Sequence, residues 1–537
     1  MTAGERTPSR QTMSASAWLI LLALLLYAWT HRHAFQMTGF AEDVGLVQSL
    51  VAAANAGDLA SEVIPRWVGP LWGPESTMWR PWAFTSLALD AKIYGAASGW
   101  WHITNLLLHL IAAVFTALLA REWFGSRWAA VAAFATMLLH PWSSESTLWL
   151  VGRFDGWVTA AIAAALYFSW RSRGMDRWWF AAVLASGLAY LSKESALVLL
   201  PATAMLVVCK AQAQLPLGTR LSMAQLMKPL APILGAQLLV AATYFTLRWV
   251  AVGAVSTNVY GSNAVTGLGD LVSRATAHMN AFISLGRVSP LAATSAAVLM
   301  SWALIAAISA RRWSVLAFAT VWVALVFSGA ALHFRAPVNF GDGFRLYYLA
   351  LVGIALVVAV STSLLCASHP RKAAMFVVAW SVSLAIWQNA SNGQWWRAAK
   401  EIASSAEAIG KTLPTLAESE YALVLLPEQI GVVPALRNAQ GSIVRAAPAR
   451  SAGADNIDYM VGFSPMQLDE WHRSMQKDIV RLVTKRVDAP PRPTRYYCKE
   501  QGVDELRYLG FWAAGTLDEW RERWRTATRA ACPSLKL

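Results

Sequence analysis

Two kinds of side chain in this sequence have the type and spacing to carry chemistry: carboxylates that can take a proton, and cations that can hold a phosphate. Glu42 and Asp43 are adjacent in the stretch Gly39-Phe-Ala-Glu-Asp-Val-Gly-Leu-Val-Gln48. Partial desolvation and like charge raise the pKa of one member of such a pair, while a helix N-terminus favours ionisation. The pair suits a general base or a cation site; an ordinary acidic helix start is the plainer alternative. Trp79-Arg80-Pro81 follows, then Asp90, then His102, Asn105 and His109. These last three share one helix face by their i, i+3, i+7 spacing, where a structural hydrogen-bonding stripe is the plainer reading. His140-Pro141-Trp142, Glu145 and Gly152-Arg153-Phe154-Asp155 form a third cluster, Lys193-Glu194 a fourth and Phe344-Arg345-Leu346-Tyr347-Tyr348 a fifth. Arg80, Arg153, Lys193 and Arg345 together have the chemistry to cradle a phosphate or pyrophosphate. Each alone reads equally as a snorkelling or ion-paired side chain.

Membrane helices must position these groups. The chain of 537 residues is 56% hydrophobic and only 14% charged, with a mean hydropathy of +0.41, and its repeated apolar runs read as spans. Eleven are expected, at about 16–30, 101–120, 128–142, 156–170, 178–191, 196–209, 230–250, 291–310, 313–332, 346–366 and 372–388. Basic clusters occupy every second gap: Arg6/Arg10, Arg121/Arg127, Arg171/Arg173/Arg177, Lys210/Arg220/Lys228, Arg311/Arg312 and Arg371/Lys372. Short Lys/Arg-rich loops stay cytoplasmic, so these gaps mark the inner face. The other gaps hold eleven of the fourteen acids before residue 389, which places the candidate groups at the outer membrane-water boundary. The net charge of +14 mostly reflects this sorting and does not argue for nucleic-acid binding.

The run Trp18–Thr30 follows Arg6 and Arg10 without a small-residue cleavage pattern, so an uncleaved signal anchor is expected. The first outer loop, about 31–100, carries Trp67, Trp72, Trp79, Trp82 and Trp100 among four prolines. Tryptophan settles at headgroup level, which predicts short helices along the membrane surface; some rings could instead stack on a sugar. From residue 389 the composition becomes that of a soluble module, with helical patterns at 395–413 and 516–531 and a buried strand at Tyr421–Leu426. An odd span count puts this 389–537 module outside, where disulfides persist. There a Cys498–Cys532 bridge is favoured over two unpaired thiols.

The ordered set Arg-Pro, Asp, His-x-x-Asn-x-x-x-His, His-Pro-x-x-x-Glu, Gly-Arg-x-Asp, Lys-Glu and Arg-x-Tyr resembles the membrane region of the transmembrane-and-TPR O-mannosyltransferases and their bacterial relatives. These belong to the type-C glycosyltransferase superfamily. The match is most specific over residues 79–200. The resemblance implies a polytopic enzyme of a bacterial inner membrane that uses a polyprenyl-phosphate sugar on the extracytoplasmic side. It also implies a catalytic acidic pair in the first outer loop, which maps to Glu42 and Asp43, and a substrate-binding set of Arg80, Asp90, His102, His140, Glu145, Arg153, Asp155, Lys193, Glu194, Arg345 and Tyr347. Relatives often show two aspartates where this chain has Glu42-Asp43, and no TPR pattern follows its membrane region.

The sequence thus predicts an all-α polytopic membrane domain over 1–388 with a small extracytoplasmic α/β module, the N-terminus cytoplasmic and the C-terminus periplasmic. The expected activity is sugar transfer from the lipid donor to an envelope glycan, lipid or protein acceptor. A non-catalytic scaffold in envelope glycan assembly is the alternative. A transporter fits less well, because the charges avoid the midplane and no inverted repeat is visible. The sequence assigns no metal or other cofactor.

Overall fold

A computed structural model of the protein describes residues 15–37, 39–40, 43–72, 76–213, 223–255, 266–333, 343–412, 421–427, 430–431, 433, 435, 460–463, 494–512 and 517–535. Each expected span falls on a helix: α1 (Ala15–Thr30), α5 (His102–Phe124), α6 (Arg127–Leu139), α8 (Arg153–Arg171), α9 (Arg177–Ser192), α10 (Leu199–Ala213), α11 (Met223–Val252), α13 (Pro290–Ser309), α14 (Trp313–His333), α16 (Leu351–Ser368) and α17 (Pro370–Thr412). Eight helical segments among the described residues are long and apolar enough to cross a bilayer. Helices α6, α8 and α9 fall outside that set. α6 is a short apolar helix of 13 residues, which rises only about 20 Å. It packs against α1, α5, α16 and α17, and ten consecutive positions from Val131 to His140 are buried. Protein rather than lipid sheathes most of it, so it has no need to match the hydrocarbon thickness. The chain is a multi-pass membrane protein.

Connections at one end of the bundle are elaborated. The first long loop contains three short helices, α2 (Asp43–Asn55), α3 (Leu59–Val68) and α4 (Pro81–Tyr94), and α4 is largely buried against its neighbours. The α6–α8 connection holds α7 (Ser144–Leu148), the α11–α13 connection holds α12 (Leu268–Gly286), and α15 (Arg345–Tyr348) precedes α16. Contacts of α15 with α7 and α8, and of α7 with α5 and α17, gather these pieces over the same end. The other end carries Arg121, Arg127, Arg171, Arg173, Arg177 and Lys210.

The boundary expected at 388/389 falls inside α17, whose 43 residues extend about 65 Å, roughly twice the hydrocarbon core. Its middle is polar and buried. Gln388 accepts a hydrogen bond from Thr30 Oγ1 at 2.9 Å, and Asn392 Nδ2 donates to the Thr30 carbonyl at 2.8 Å. The far part of α17 meets a four-stranded sheet of order β2-β1-β3-β4, with β1 (Tyr421–Leu425), β2 (Met460–Phe463), β3 (Thr494–Lys499) and β4 (Leu506–Trp512). β1 lies parallel to β2 and β3, and β3 lies antiparallel to β4. Glu401 on α17 accepts from Lys499 Nζ at 2.8 Å and from the Gly502 amide at 3.0 Å, which fixes the sheet to the helix. A Cys498–Cys532 disulfide ties β3 to the end of α18 (Leu517–Ala531).

Candidate active site

Asp43 opens α2 and is fully buried. Its Oδ2 accepts the backbone amides of Phe40 at 3.2 Å and Leu150 at 2.9 Å, and its Oδ1 accepts that of Val151 at 3.1 Å. Three backbone N–H donors thus occupy this carboxylate. Its visible work is to pin the first loop to the α7–α8 corner. Its neighbour Glu42 lies outside the described residues.

The α7–α8 corner is built by residues from the motif set. Gly152 lies so close to the preceding turn that a Cβ there would stand 2.6 Å from the Glu145 carbonyl oxygen, so no larger residue fits. Arg153 is fully buried beneath it. Its guanidinium donates to Asn105 Oδ1 at 2.8 Å, the Ser86 carbonyl at 3.0 Å, the Trp101 carbonyl at 2.8 Å and the Asp90 carboxylate. Asp90 also accepts from Thr104 Oγ1 at 2.8 Å. Burial raises the Asp90 carboxyl, and the Arg153 charge opposes that rise. The ring nitrogens of His102 face the Gly99 and Leu148 carbonyls, and Asn105 Nδ2 donates to the Trp149 carbonyl at 2.9 Å. His109 joins Tyr348 Oη at 2.5 Å. His140 packs edge-on against Trp142 and near Trp387.

A cavity of about 300 Å³ opens beside this corner. Arg80, Asp155, Lys193, Glu194, Ser195 and Arg345 form one wall. Val158, Leu197, Val198, Phe245, Leu325, Val326 and Leu349 supply its apolar lining. Arg80 reaches Glu194 Oε2 through Nε at 3.1 Å and Nη2 at 2.9 Å. Lys193 Nζ donates to Asp155 Oδ1 at 2.5 Å, which occupies one of its three N–H donors. Burial lowers the Lys193 ammonium, Asp155 opposes this, and the Arg80 and Arg345 charges push the same way as burial. Arg345 lies 4.2 Å over the Trp149 ring and donates to Glu145 Oε1 at 2.9 Å. Glu145 also accepts the Gly343 and Arg345 backbone amides, so one buried carboxylate fixes both the loop and the side chain of Arg345. Tyr347 points away from this wall and joins His278 of α12.

Three of the four expected phosphate cations therefore converge. Arg153 does not, because its donors are consumed inside the protein. Sequence reading also missed Arg248, on the last turns of α11. It donates to Glu194 Oε1 at 3.0 Å, Tyr244 Oη at 3.1 Å and the Thr77 carbonyl at 2.7 Å. Its signal was present: a lone arginine at the outer end of an apolar span, where the neighbouring outer ends carry acids. With Arg248 and Glu145 included, four cations face three carboxylates among the described residues, a balance of one formal positive charge.

The overall arrangement is that of ArnT from Cupriavidus metallidurans in the apo state, with a TM-score of 0.51 at 14% identity, over 90% of this chain and 93% of that one. The two share a fold: an all-α polytopic membrane bundle with a small α/β module. At the sequence level the protein is similar to Protein O-mannosyl-transferase Tmtc2 of Drosophila melanogaster, 31% identical over 143 residues, 25% of this chain and 15% of that protein. Tmtc1 of the same organism is 32% identical over 126 residues, 23% of this chain and 14% of that protein. The alignments thus span about a seventh of either relative. No family model matches the sequence.

Proposed function

We propose that the protein is a membrane glycosyltransferase moving a sugar from a polyprenyl-phosphate carrier to an extracytoplasmic acceptor: an envelope glycan, lipid or protein. The cavity beside the α7–α8 corner carries this reading. Its apolar lining suits an isoprenoid chain. Its polar wall sets Arg80, Lys193 and Arg345 toward the same space, each already oriented by a carboxylate. One formal positive charge matches the single negative charge of a phosphodiester-linked sugar. The fold and the likeness to the Drosophila mannosyltransferases support the same class.

In this mechanism an acceptor hydroxyl attacks the anomeric carbon and gives its proton to Glu42. The bond from that carbon to the phosphate oxygen breaks, its electron pair leaves with the lipid phosphate, and the configuration inverts. The leaving phosphate gains a second charge, and cations held in advance where charge develops lower the barrier. Asp43 ties the start of α2 to the α7–α8 corner. The site faces the periplasm of a bacterial inner membrane, since the basic loops gather at the opposite end.

Mass spectrometry of envelope glycolipids and glycoproteins from a deletion strain tests the reading. One missing sugar is expected, restored by the wild-type gene and not by Glu42→Gln. An unchanged glycan profile, with no binding of polyprenyl-phosphate sugars by the purified protein, overturns it.

A further inference from the structure

A second, larger cavity of about 810 Å³ lies at the opposite, basic end of the bundle. It opens between the ends of α5, α8 and α10 and the first turns of α9 and the facing part of α11, so five helices contribute to its walls. Arg171, Arg173 and Lys210 bring cations to it, Trp170, Trp178 and Trp179 bring rings, and Val207 and Ile233 form part of its apolar side. Nothing in the proposed transfer reaction uses it.

Its two carboxylates are engaged. Glu122 accepts from Arg171 Nη1 at 2.7 Å. Asp176 caps α9, accepting the amides of Trp178 at 3.1 Å, Trp179 at 2.9 Å and Arg173 at 3.2 Å. Lys210 Nζ donates to the Trp170 and Ser172 carbonyls at 2.5 and 2.7 Å, closing the end of α8; an ammonium has three donors, so one N–H is left over. Arg173 is exposed, and its guanidinium has no ion-pair partner among the described residues. Arg171 and Arg177 stand over the Trp178 ring at 4.8 and 4.9 Å, which stiffens both cations beside the cavity mouth.

We infer that this cavity binds the phosphodiester headgroup of an anionic membrane phospholipid. Basic pockets between membrane helices recognise such headgroups, and tryptophans place this one at headgroup depth. The volume exceeds the need of an inorganic phosphate and suits a phosphoglycerol group. The flanking Val207 and Ile233 give the acyl chains an apolar path. The charge selects an anion: among the lining residues Arg171, Arg173 and Lys210 outnumber Glu122 and Asp176 by one, and Arg177 adds a cation beside Trp178.

The test is native mass spectrometry of the full-length protein in detergent, titrated with phosphatidylglycerol or with phosphatidylcholine of the same chains. Phosphatidylglycerol should bind more tightly. Arg173→Ala should weaken it about fivefold, as expected for one basic residue near an anionic headgroup, and Arg173→Glu should weaken it further. Neither should alter phosphatidylcholine binding. Arg173 is exposed, so both variants should keep the parent melting temperature, and polyprenyl-phosphate binding at the other end should stay unchanged. Equal affinity for the two phospholipids overturns the inference, as does a wild-type phosphatidylglycerol affinity in both variants. Displacement of phosphatidylglycerol by millimolar glycerol 3-phosphate would assign the cavity to a soluble phosphate and overturn the lipid assignment.

Discussion

Asp43 and Leu150, 107 positions apart in sequence, are joined by a 2.9 Å hydrogen bond from the Leu150 amide to Asp43 Oδ2. With the bonds from Val151 and Phe40 it ties Asp43 to backbone, and the proposed reaction therefore gives the proton to Glu42. Asp43→Asn should lower the melting temperature in detergent together with turnover, because an amide nitrogen turned toward N–H groups leaves buried donors unmet, at about 1–3 kcal/mol each. Glu42→Gln should leave the melting temperature unchanged and lower turnover by roughly 10²-fold, within the range of a positioned general base. Donor affinity should change far less than turnover. Near-normal turnover of Glu42→Gln would move the base elsewhere and leave Asp43 as a structural residue only.

Arg345 and Arg153 were grouped by sequence and are separated by structure. Arg345→Ala should weaken donor binding by roughly 10-fold or more, as expected for one charge-assisted contact, in a protein that still elutes as a single folded species. Arg153→Ala should cost on the order of 3–5 kcal/mol of stability, since it strands the buried Asp90 carboxylate. Its donor affinity, measured on whatever fraction stays folded, should remain close to the parent's. Equal loss of donor binding in both, with equal stability, would mean that burial is a poor guide to role here.

Span positions were legible because apolar runs and alternating basic loops are set by the bilayer itself. Arg80, Lys193 and Arg345 were legible as cations at one end for the same reason. Their roles were not, because a one-dimensional pattern carries no burial. Arg153 reads the same as Arg345 until Asn105, Ser86, Trp101 and Asp90 are seen around it. Arg248 was hidden inside an apolar run, and its relevance depends on Glu194, 54 positions away. The continuity of α17 through residue 389 was obscured by its polar residues, which read as an exit from the membrane and instead face Thr30 and Ser143 inside the protein.

Donor binding should fall on the alkaline side, and earlier than an ordinary lysine would require. Burial lowers the Lys193 ammonium from its usual range, and the facing Arg80 and Arg345 charges add to that while Asp155 opposes it. A cation with a lowered pKa loses its charge as pH rises through that lowered value, so affinity is full below it and declines above it. Lys193→Arg stays charged throughout and should hold its affinity to higher pH. Dissociation constants measured between about pH 7 and 10, below the usual lysine value, would show this; superimposable alkaline limbs for parent and variant would remove Lys193 from the phosphate wall.

The last prediction concerns sidedness. If all eleven helices cross and the N-terminus is cytoplasmic, the sheet, α18 and the candidate active site should lie on the outer side. The Cys498–Cys532 bond suits that placement, because disulfides persist in oxidising compartments and not in a reducing cytoplasm. Alkaline phosphatase fused after Leu537 should be active, since it matures only outside. A thiol reagent that cannot cross membranes should label Cys498 and Cys532 in intact spheroplasts after reduction and not before it. The weak link is α6, whose 13 residues are short for a crossing, and a reporter fused between α6 and α8 distinguishes the cases. If α6 crosses, a fusion there reports periplasmic, as does the C-terminal fusion. Cytoplasmic activity at the C-terminus would turn the cavity of Arg80, Lys193 and Arg345 away from an extracytoplasmic acceptor and remove the proposed topology of transfer.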